Sequence, residues 1–402
     1  MRLRTLMTSG AVLCALLGST AAAPADTAAA GAQRPQVAHT LAASADDTGQ
    51  QPQRSGQAVV RVDAGACTTA RQQALSAGHK YAACVQPVKV SDGMRAAARD
   101  PMWKWPDWCD DHGVANVWYI TRINGCGVFG VELKVLDTRG RQVGGIKYMM
   151  VGYEFSDRTL SRWAYQVALL EYQRWGQGTA GTKAQGSASC RRKCKVANGS
   201  FPSQTISASK NPYGQYFIDT TINVRKRGQK GSGSAVITHH FTNPAWGTST
   251  PVELGTTDVR CDTALPGRTT QVGCINQGYV PEMVYNKRGE YPELAKHIAY
   301  AQDVKKLPGK HGTKQYLTRL TDKKKITKNR DKACPSSRPR PQGKSCDEYP
   351  FATTWQGAST GSGKFSWRMI NARQNSQGGN ALNNFYTYNR IIEKDRFLVW
   401  IK

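Results

Sequence analysis

From residue 59 to 262 the chain alternates apolar and polar residues in short runs. Examples are Val117-Trp118-Tyr119-Ile120-Thr121, Val131-Glu132-Leu133-Lys134-Val135 and Tyr216-Phe217-Ile218-Asp219-Thr220. A period of two sends successive side chains to opposite faces of a strand. Asn124-Gly125 and Asp137-Thr138-Arg139-Gly140 supply turns between runs. The pattern predicts a β-rich, antiparallel domain over 59–262. Leu160 to Trp175 stays open, because its polar positions Arg162, Gln166 and Glu171 suit either a helix or two strands. Nothing in this domain commits it to chemistry. Trp103, Trp105 and Trp108 are read as core packing beside a disulfide, with a ligand-stacking face as the alternative.

The period changes over 263–402. In Tyr291 to Ala301, Pro292 suits a first helical turn, and Leu294, Ala295, Ile298 and Ala301 share one face, which predicts a short amphipathic helix. A second helix is predicted from Asn380 to Ile391, with Leu382, Phe385, Tyr386 and Asn389 along one stripe. Phe397 to Ile401 reads as a buried terminal strand. The chain is therefore expected to be multidomain, with a small α+β C-terminal domain behind the β-rich one.

Upstream, Arg2 and Arg4, the apolar stretch Ala11 to Leu17 and Ala21-Ala22-Ala23 follow the order of a secretory signal peptide, placed at 1–23. Residues 24–58 are rich in Ala, Gln, Asp, Ser, Thr and Gly with almost no aromatics, and are expected to be a disordered linker. No segment approaches the roughly 20 apolar residues of a membrane-spanning helix, so no membrane insertion is expected. The expected location is secreted and extracellular. Of 11 cysteines, Cys14 falls in the leader. The other ten are near neighbours: Cys67 and Cys84, Cys109 and Cys126, Cys190 and Cys194, Cys261 and Cys274, Cys334 and Cys346. Disulfides are expected, since no Cys-x2-Cys pair supports a zinc site.

The formal charge of +27 suits a polyanionic partner, a cell-surface polyanion or plain solubility, and does not choose among them. Between the first predicted helix and Asp347 lies the most basic stretch, from Lys305 to Lys344, including Lys323, Lys324, Lys325 and Arg330, with only Asp303 just ahead of it and Asp322 and Asp331 within it in opposition. It reads as a loop that binds phosphate backbone, the alternative being a solvated loop.

That stretch abuts Cys346-Asp347-Glu348-Tyr349-Pro350-Phe351-Ala352. Two adjacent carboxylates are hard-oxygen ligands of the kind Mg²⁺ or Mn²⁺ takes, and such an ion neutralises a phosphodiester during cleavage. The bland alternative is a helix N-cap.

Asp347 to Ala352 followed by Gln356-Gly357 resembles the Asp-Glu-aromatic-Pro-x-Ala stretch and later Glu-Gly pair of the NucA/NucB deoxyribonucleases. Tyr291-Pro292-Glu293-Leu294-Ala295-Lys296-His297-Ile298 resembles that family's Tyr-Pro-Glu-x-Ala-x-His-Ile helix. Asn371 to Gly379 resembles its Asn- and Gly-rich loop before the last helix. The likeness covers about 270 to 402 and none of the β-rich domain. It implies a small nuclease-like domain that hydrolyses DNA with little sequence preference and needs a divalent metal, Mg²⁺ or Mn²⁺. Asp347 and Glu348 become the leading catalytic or metal-binding pair, His297 a candidate general base, and Asn375 a candidate ligand of metal or phosphate. A satisfied histidine packed beside Leu294 and Ile298 is the alternative for His297. Arg330 and Arg373 are candidate phosphate clamps. Gln356 departs from the family's glutamate, keeping a carbonyl oxygen but neither charge nor a proton-accepting carboxylate.

Three functions compete: a nuclease, a DNA-binding protein without catalysis, and a secreted antibacterial toxin that would require an immunity protein as partner. A glycoside hydrolase is the outsider, because it needs two carboxyls facing each other across a cleft.

Overall fold

The computed structural model describes residues 51–55, 60–90, 116–267 and 271–402. The leader, most of the linker, the three clustered tryptophans and Cys109 lie outside the described residues. Sixteen elements build the first region: β1 (Gln53–Arg54), β2 (Val60–Arg61), α1 (Ala66–Ser76), β3 (Tyr81–Pro87), β4 (Val117–Ile120), β5 (Asn124–Asp137), β6 (Gln142–Phe155), β7 (Arg162–Gly176), β8 (Lys183–Arg192), β9 (Cys194–Thr205), β10 (Tyr213–Thr220), β11 (Lys230–Asn243), β12 (Gly247–Thr248), β13 (Val252–Gly255), β14 (Val259–Asp262) and β15 (Gly273–Asn276). All the strands belong to one curled 15-stranded sheet with the order β1-β4-β5-β6-β7-β10-β9-β8-β11-β13-β2, and every pairing in it is antiparallel. The sheet runs on to Asn276.

The open segment from Leu160 is a single strand. Trp163, Tyr165, Val167 and Leu169 enter the main core with Ile146, Tyr148 and Met150, while Ala168 and Leu170 pack with Met149 and Val151 on the other face. Apolar residues on both faces of a strand erase the alternation that would have identified it.

The second region comprises β16 (Glu282–Tyr285), α2 (Pro292–Asp303), β17 (Leu317–Thr318), α3 (Lys323–Ala333), β18 (Lys344–Tyr349), β19 (Ser366–Asn371), α4 (Ala372–Tyr388) and β20 (Arg396–Ile401). Strands β16, β20 and β17 form one small sheet, and β18 and β19 form a hairpin. Leu294, Ala295, Ile298 and Ala301 of α2 fill the core with Tyr349, Ile370, Leu382, Phe397 and Val399. The predicted first helix and terminal strand are thus present.

Two expectations need correction. Asn375 to Gly379 is helix, not loop: the Asn371 side chain caps α4 by accepting the Arg373 and Gln374 amides at 3.1 Å each, which starts the helix eight residues before Asn380. A Cβ at 378 would lie 2.2 Å from Leu294 Cδ2, so a larger residue there would make that leucine of α2 repack. The basic stretch is likewise not all loop. Helix α3 lies within it, capped by Asp322, which accepts the Lys325 amide at 3.1 Å. Its charged sequence has too few apolar residues for a 3.6-residue stripe to be visible.

Four disulfides join described cysteines, Cys67–Cys84, Cys190–Cys194, Cys261–Cys274 and Cys334–Cys346, each as expected. Cys126 is also disulfide-bonded. No helix of the described residues is long and apolar enough to cross a membrane.

A buried charge network joins the two regions. Arg122 Nε donates to the Asn389 carbonyl at 2.7 Å, Arg260 Nη1 to Asp395 at 2.6 and 2.7 Å, and Arg390 Nη2 to Asp262 Oδ1 at 2.7 Å. Breaking one partner of such a pair strands a buried charge, at a cost of roughly 3–5 kcal/mol. The network therefore holds the end of α4 and the start of β20 in fixed register against the sheet.

Candidate active site

Strand β18 supplies both carboxylates but sends them opposite ways, because consecutive residues in a strand alternate faces. Asp347 faces helix α2, where His297 Nδ1 lies 2.5 Å from its Oδ2. Glu348 faces α3, its Oε2 3.9 Å from Cys334 Sγ; burial and the charge of Asp347 push its pKa up to about 7 against the opposing charge of Arg330. The pair read from sequence as joint ligands is therefore divided between two faces of the hairpin.

His297 is fully buried at 0 % exposure. With Asp347 ionised, Nδ1–H donates to the carboxylate and Nε2 accepts from the Ser366 hydroxyl at 2.9 Å. Both ring nitrogens are engaged, a geometry in which His297 positions the Asp347 carboxylate. Ser366, His297 and Asp347 have the connectivity of a nucleophile triad, yet Ser366 is buried in β19 opposite Tyr349. Burial raises the Asp347 pKa, and the hydrogen bond from His297 opposes the rise.

Asn375, in the first turn of α4, donates its amide nitrogen to Ser345 Oγ at 3.0 Å and to the Cys346 carbonyl at 3.1 Å. Arg373 is exposed at the same helix N-terminus. Arg368 lies directly across the hairpin from Asp347, with its guanidinium 4.1 Å from the Tyr300 ring centroid. Trp367, opposite Glu348, is covered on one face by Arg338 at 3.4 Å.

Gln356 is remote from this cluster in its bonding. Its Oε1 accepts the Thr318 amide at 2.9 Å and its Nε2 donates to Thr318 Oγ1 at 3.1 Å, fastening the loop after β18 to β17. In this structure the catalytic candidate read from sequence serves as a clamp between that loop and β17. Lys323, Lys324 and Lys325 begin α3, with Lys325 Nζ 4.3 Å from the Trp355 ring centroid. Helix N-termini repel cations, so three lysines there oppose the helix's own stability.

The residues that pattern reading missed are Ser366, Arg368 and Asn329. A lone serine or arginine in a strand and a single asparagine in a charged helix leave no periodic signal. Only their partners make them visible.

Residues 306–400 match the family model described as deoxyribonuclease NucA/NucB. Residues 306–400 are a NucA/NucB deoxyribonuclease domain by that match. The matched span includes Asp347, Glu348, Gln356 and Asn375, while His297 lies ahead of it. The match assigns the domain to DNA-hydrolysing enzymes and leaves the large sheet outside it. Neither a curated protein nor a solved structure gives a significant match to the chain.

Proposed function

We propose that the protein is an exported, metal-dependent endonuclease that hydrolyses DNA phosphodiester bonds with little sequence specificity, and that Asp347 is its central catalytic carboxylate. The observation that carries this reading is the short bond that His297, just ahead of the residues matching NucA/NucB, makes to Asp347 within them. A buried imidazole holds one carboxylate oxygen and leaves the other for chemistry.

Among the described residues no three His, Cys, Asp or Glu side chains form a metal cage. A Mg²⁺-type ion keeps most of its waters and needs only one or two protein oxygens. Asp347 and the Asn375 carbonyl oxygen fit that requirement and would hold it, whereas Glu348 faces the wrong way. The bound ion would supply charge to the phosphate and the leaving oxygen. The chain's own residues do the rest. His297 and Ser366 fix the Asp347 carboxylate, Glu348 accepts the Ala352 amide at 3.3 Å and so secures the turn after β18, and Arg373 and the lysines of α3 attract the phosphate backbone.

Little sequence specificity follows from contacts to phosphate, which carry no base information. Export is supported by the leader pattern and by the disulfides. A non-catalytic DNA binder is the second reading, and the toxin reading gains no support from the fold. Purified protein incubated with plasmid, with and without Mg²⁺ or Mn²⁺, decides: the proposal expects metal-dependent nicking and linearisation. Tight DNA binding without cleavage in any divalent metal would leave the binder.

A further inference from the structure

The large sheet carries a charge asymmetry that its folding does not require. From Cys190 to Lys230 the sequence holds nine Lys or Arg residues and one acid, Asp219, whereas Asn116 to Ser189 holds nine and five. The fold gathers most of these cations at one end of the sheet. The Lys193 amide donates to the Ser232 carbonyl at 3.1 Å, and the Thr221 amide to the Lys193 carbonyl at 3.1 Å. Thr263 Oγ1 donates to the Lys226 carbonyl at 2.6 Å. The β8–β9 turn, closed by Cys190–Cys194, therefore lies against the 221–229 loop and the start of β11.

Lys193, Lys195, Arg225, Lys226, Arg227 and Lys230 are all exposed there. Arg191 and Arg192 have ion-pair partners in Glu253 and Asp258, and Asp219 pairs with Arg162. None of the six forms an ion pair among the described residues; Lys195 lies across the β9–β10 pair from Asp219 and its charge acts on that carboxylate. Unbalanced charge of one sign at this density destabilises a fold by self-repulsion and draws polyanions. The patch also reaches the joint between the regions. Lys230, Ser232, Arg260 and Gln277 line a cavity of about 260 Å³ with Ile392 and Asp395 of the nuclease domain.

We propose that this basic end of the sheet is a second DNA-backbone contact, which retains long DNA on the enzyme while the NucA/NucB domain cleaves. DNA is the occupant because the same chain carries a DNA hydrolase, and the buried arginine network holds the two basic surfaces at a fixed separation. A strand held by one surface is then presented to the other at high effective concentration. This inference rests on the DNA reading of the C-terminal domain.

The test uses the full chain and a variant with Lys193, Lys195, Arg225 and Arg227 changed to alanine. Binding to a long labelled duplex is measured by anisotropy in EDTA across a salt series, so no cleavage intervenes. If all four residues meet phosphates, the slope of log affinity against log salt flattens by about 3–4 units. Cleavage of plasmid then falls tenfold or more, and cleavage of a duplex too short to reach both surfaces is unchanged. The Lys193→Arg, Lys195→Arg variant should bind like the wild type. An unchanged slope in a variant with wild-type melting temperature overturns the proposal. So does loss of binding to phosphatidylserine vesicles with DNA binding intact, which would make the patch a lipid surface. A wild type that never cleaves, but whose salt slope drops in the variant, refutes the catalytic reading and leaves this one standing.

Discussion

Asn329 and Gly357 form one structural unit: a Cβ on Gly357 would lie 2.3 Å from Asn329 Nδ2. Asn329 is fully buried in α3. It donates to the Ala352 carbonyl at 2.9 Å and to Thr360 Oγ1 at 3.0 Å, and accepts the Ser359 and Thr360 amides at 2.8 and 2.9 Å. One side chain thus holds the whole loop that follows β18. Gly357→Ala should cost about 1–3 kcal/mol from overpacking. Asn329→Ala strands several buried backbone groups and should cost about 2–4 kcal/mol. Urea denaturation measures both, and a loss below 0.5 kcal/mol (roughly the spread of neutral surface changes) in either variant would contradict the account.

Gln356→Glu should leave cleavage within about threefold of wild type. A glutamate at 356 can accept the Thr318 amide just as glutamine does, and the Thr318 hydroxyl can turn to donate to the second oxygen. The departure from the family pattern thus preserves the clamp. A large gain of activity in the variant would mean that residue 356 reaches the metal or the substrate after all.

Asp347→Asn keeps the shape and removes the charge, so cleavage should fall about 10³-fold or more while affinity for DNA in EDTA holds. His297→Ala removes the partner that fixes the carboxylate and leaves the Ser366 hydroxyl unmatched in a buried site. It should lower kcat and cost about 1–3 kcal/mol of stability. Steady-state kinetics with calorimetric melting separates the two variants. Near-normal kcat in both would remove Asp347 from the mechanism.

Lys323, Lys324 and Lys325 give a prediction with opposite signs for stability and binding. Changing all three to alanine relieves repulsion at the N-terminus of α3 and should raise stability by about 0.3–1 kcal/mol per charge at most. The same change should flatten the salt slope of DNA binding by up to about 3 units. A flattened slope with unchanged or higher melting temperature is expected. An unchanged slope makes the lysines an ordinary solvated surface.

Alternation made the strands of the large sheet legible wherever one face was wetter than the other, as at Tyr216 to Thr220. It failed at β7, where Trp163 and Ala164 are both buried, each on its own face. The near-neighbour cysteines fell into place because their partners are close in sequence. The candidate site was legible only as residue types. Asp347 and Glu348 look like a ligand pair in one dimension, and knowing that they occupy a strand divides them. His297 looks like a base until its burial and its two partners, 50 and 69 residues away, are known. Long-range pairing leaves no trace in local spacing, which is also why the charge network between Arg122 and Asp395 could not be read.

Glu154 should set the pH dependence of stability. It lies fully buried at 0 % exposure, with burial pushing its pKa up to about 8 and the charge of Asp258 adding to the rise. Protonated, Glu154 donates to Thr257 Oγ1 at 3.0 Å, Thr257 donates to Asn276 Oδ1 at 3.1 Å, and Asn276 Nδ2 donates to the Thr121 and Asn124 carbonyls at 3.1 and 2.8 Å. Each donor then has an acceptor. Ionised, the carboxylate takes the Thr257 proton and leaves Asn276 Oδ1 without one. Because the folded pKa lies above the unfolded one, the folded state binds the proton more tightly. Its contribution is whole below pH 4.5, the unfolded value, and is lost as pH rises to about 8. Each tenfold difference in proton affinity between the folded and unfolded chain is worth about 1.4 kcal/mol, so the loss is a few kcal/mol. Glu154→Gln keeps a donor toward Thr257 and cannot ionise, so its melting temperature should exceed the wild type's at pH 8, and the gap should close toward pH 5. Parallel melting curves for the two proteins across that range would show that Glu154 is not the group responsible.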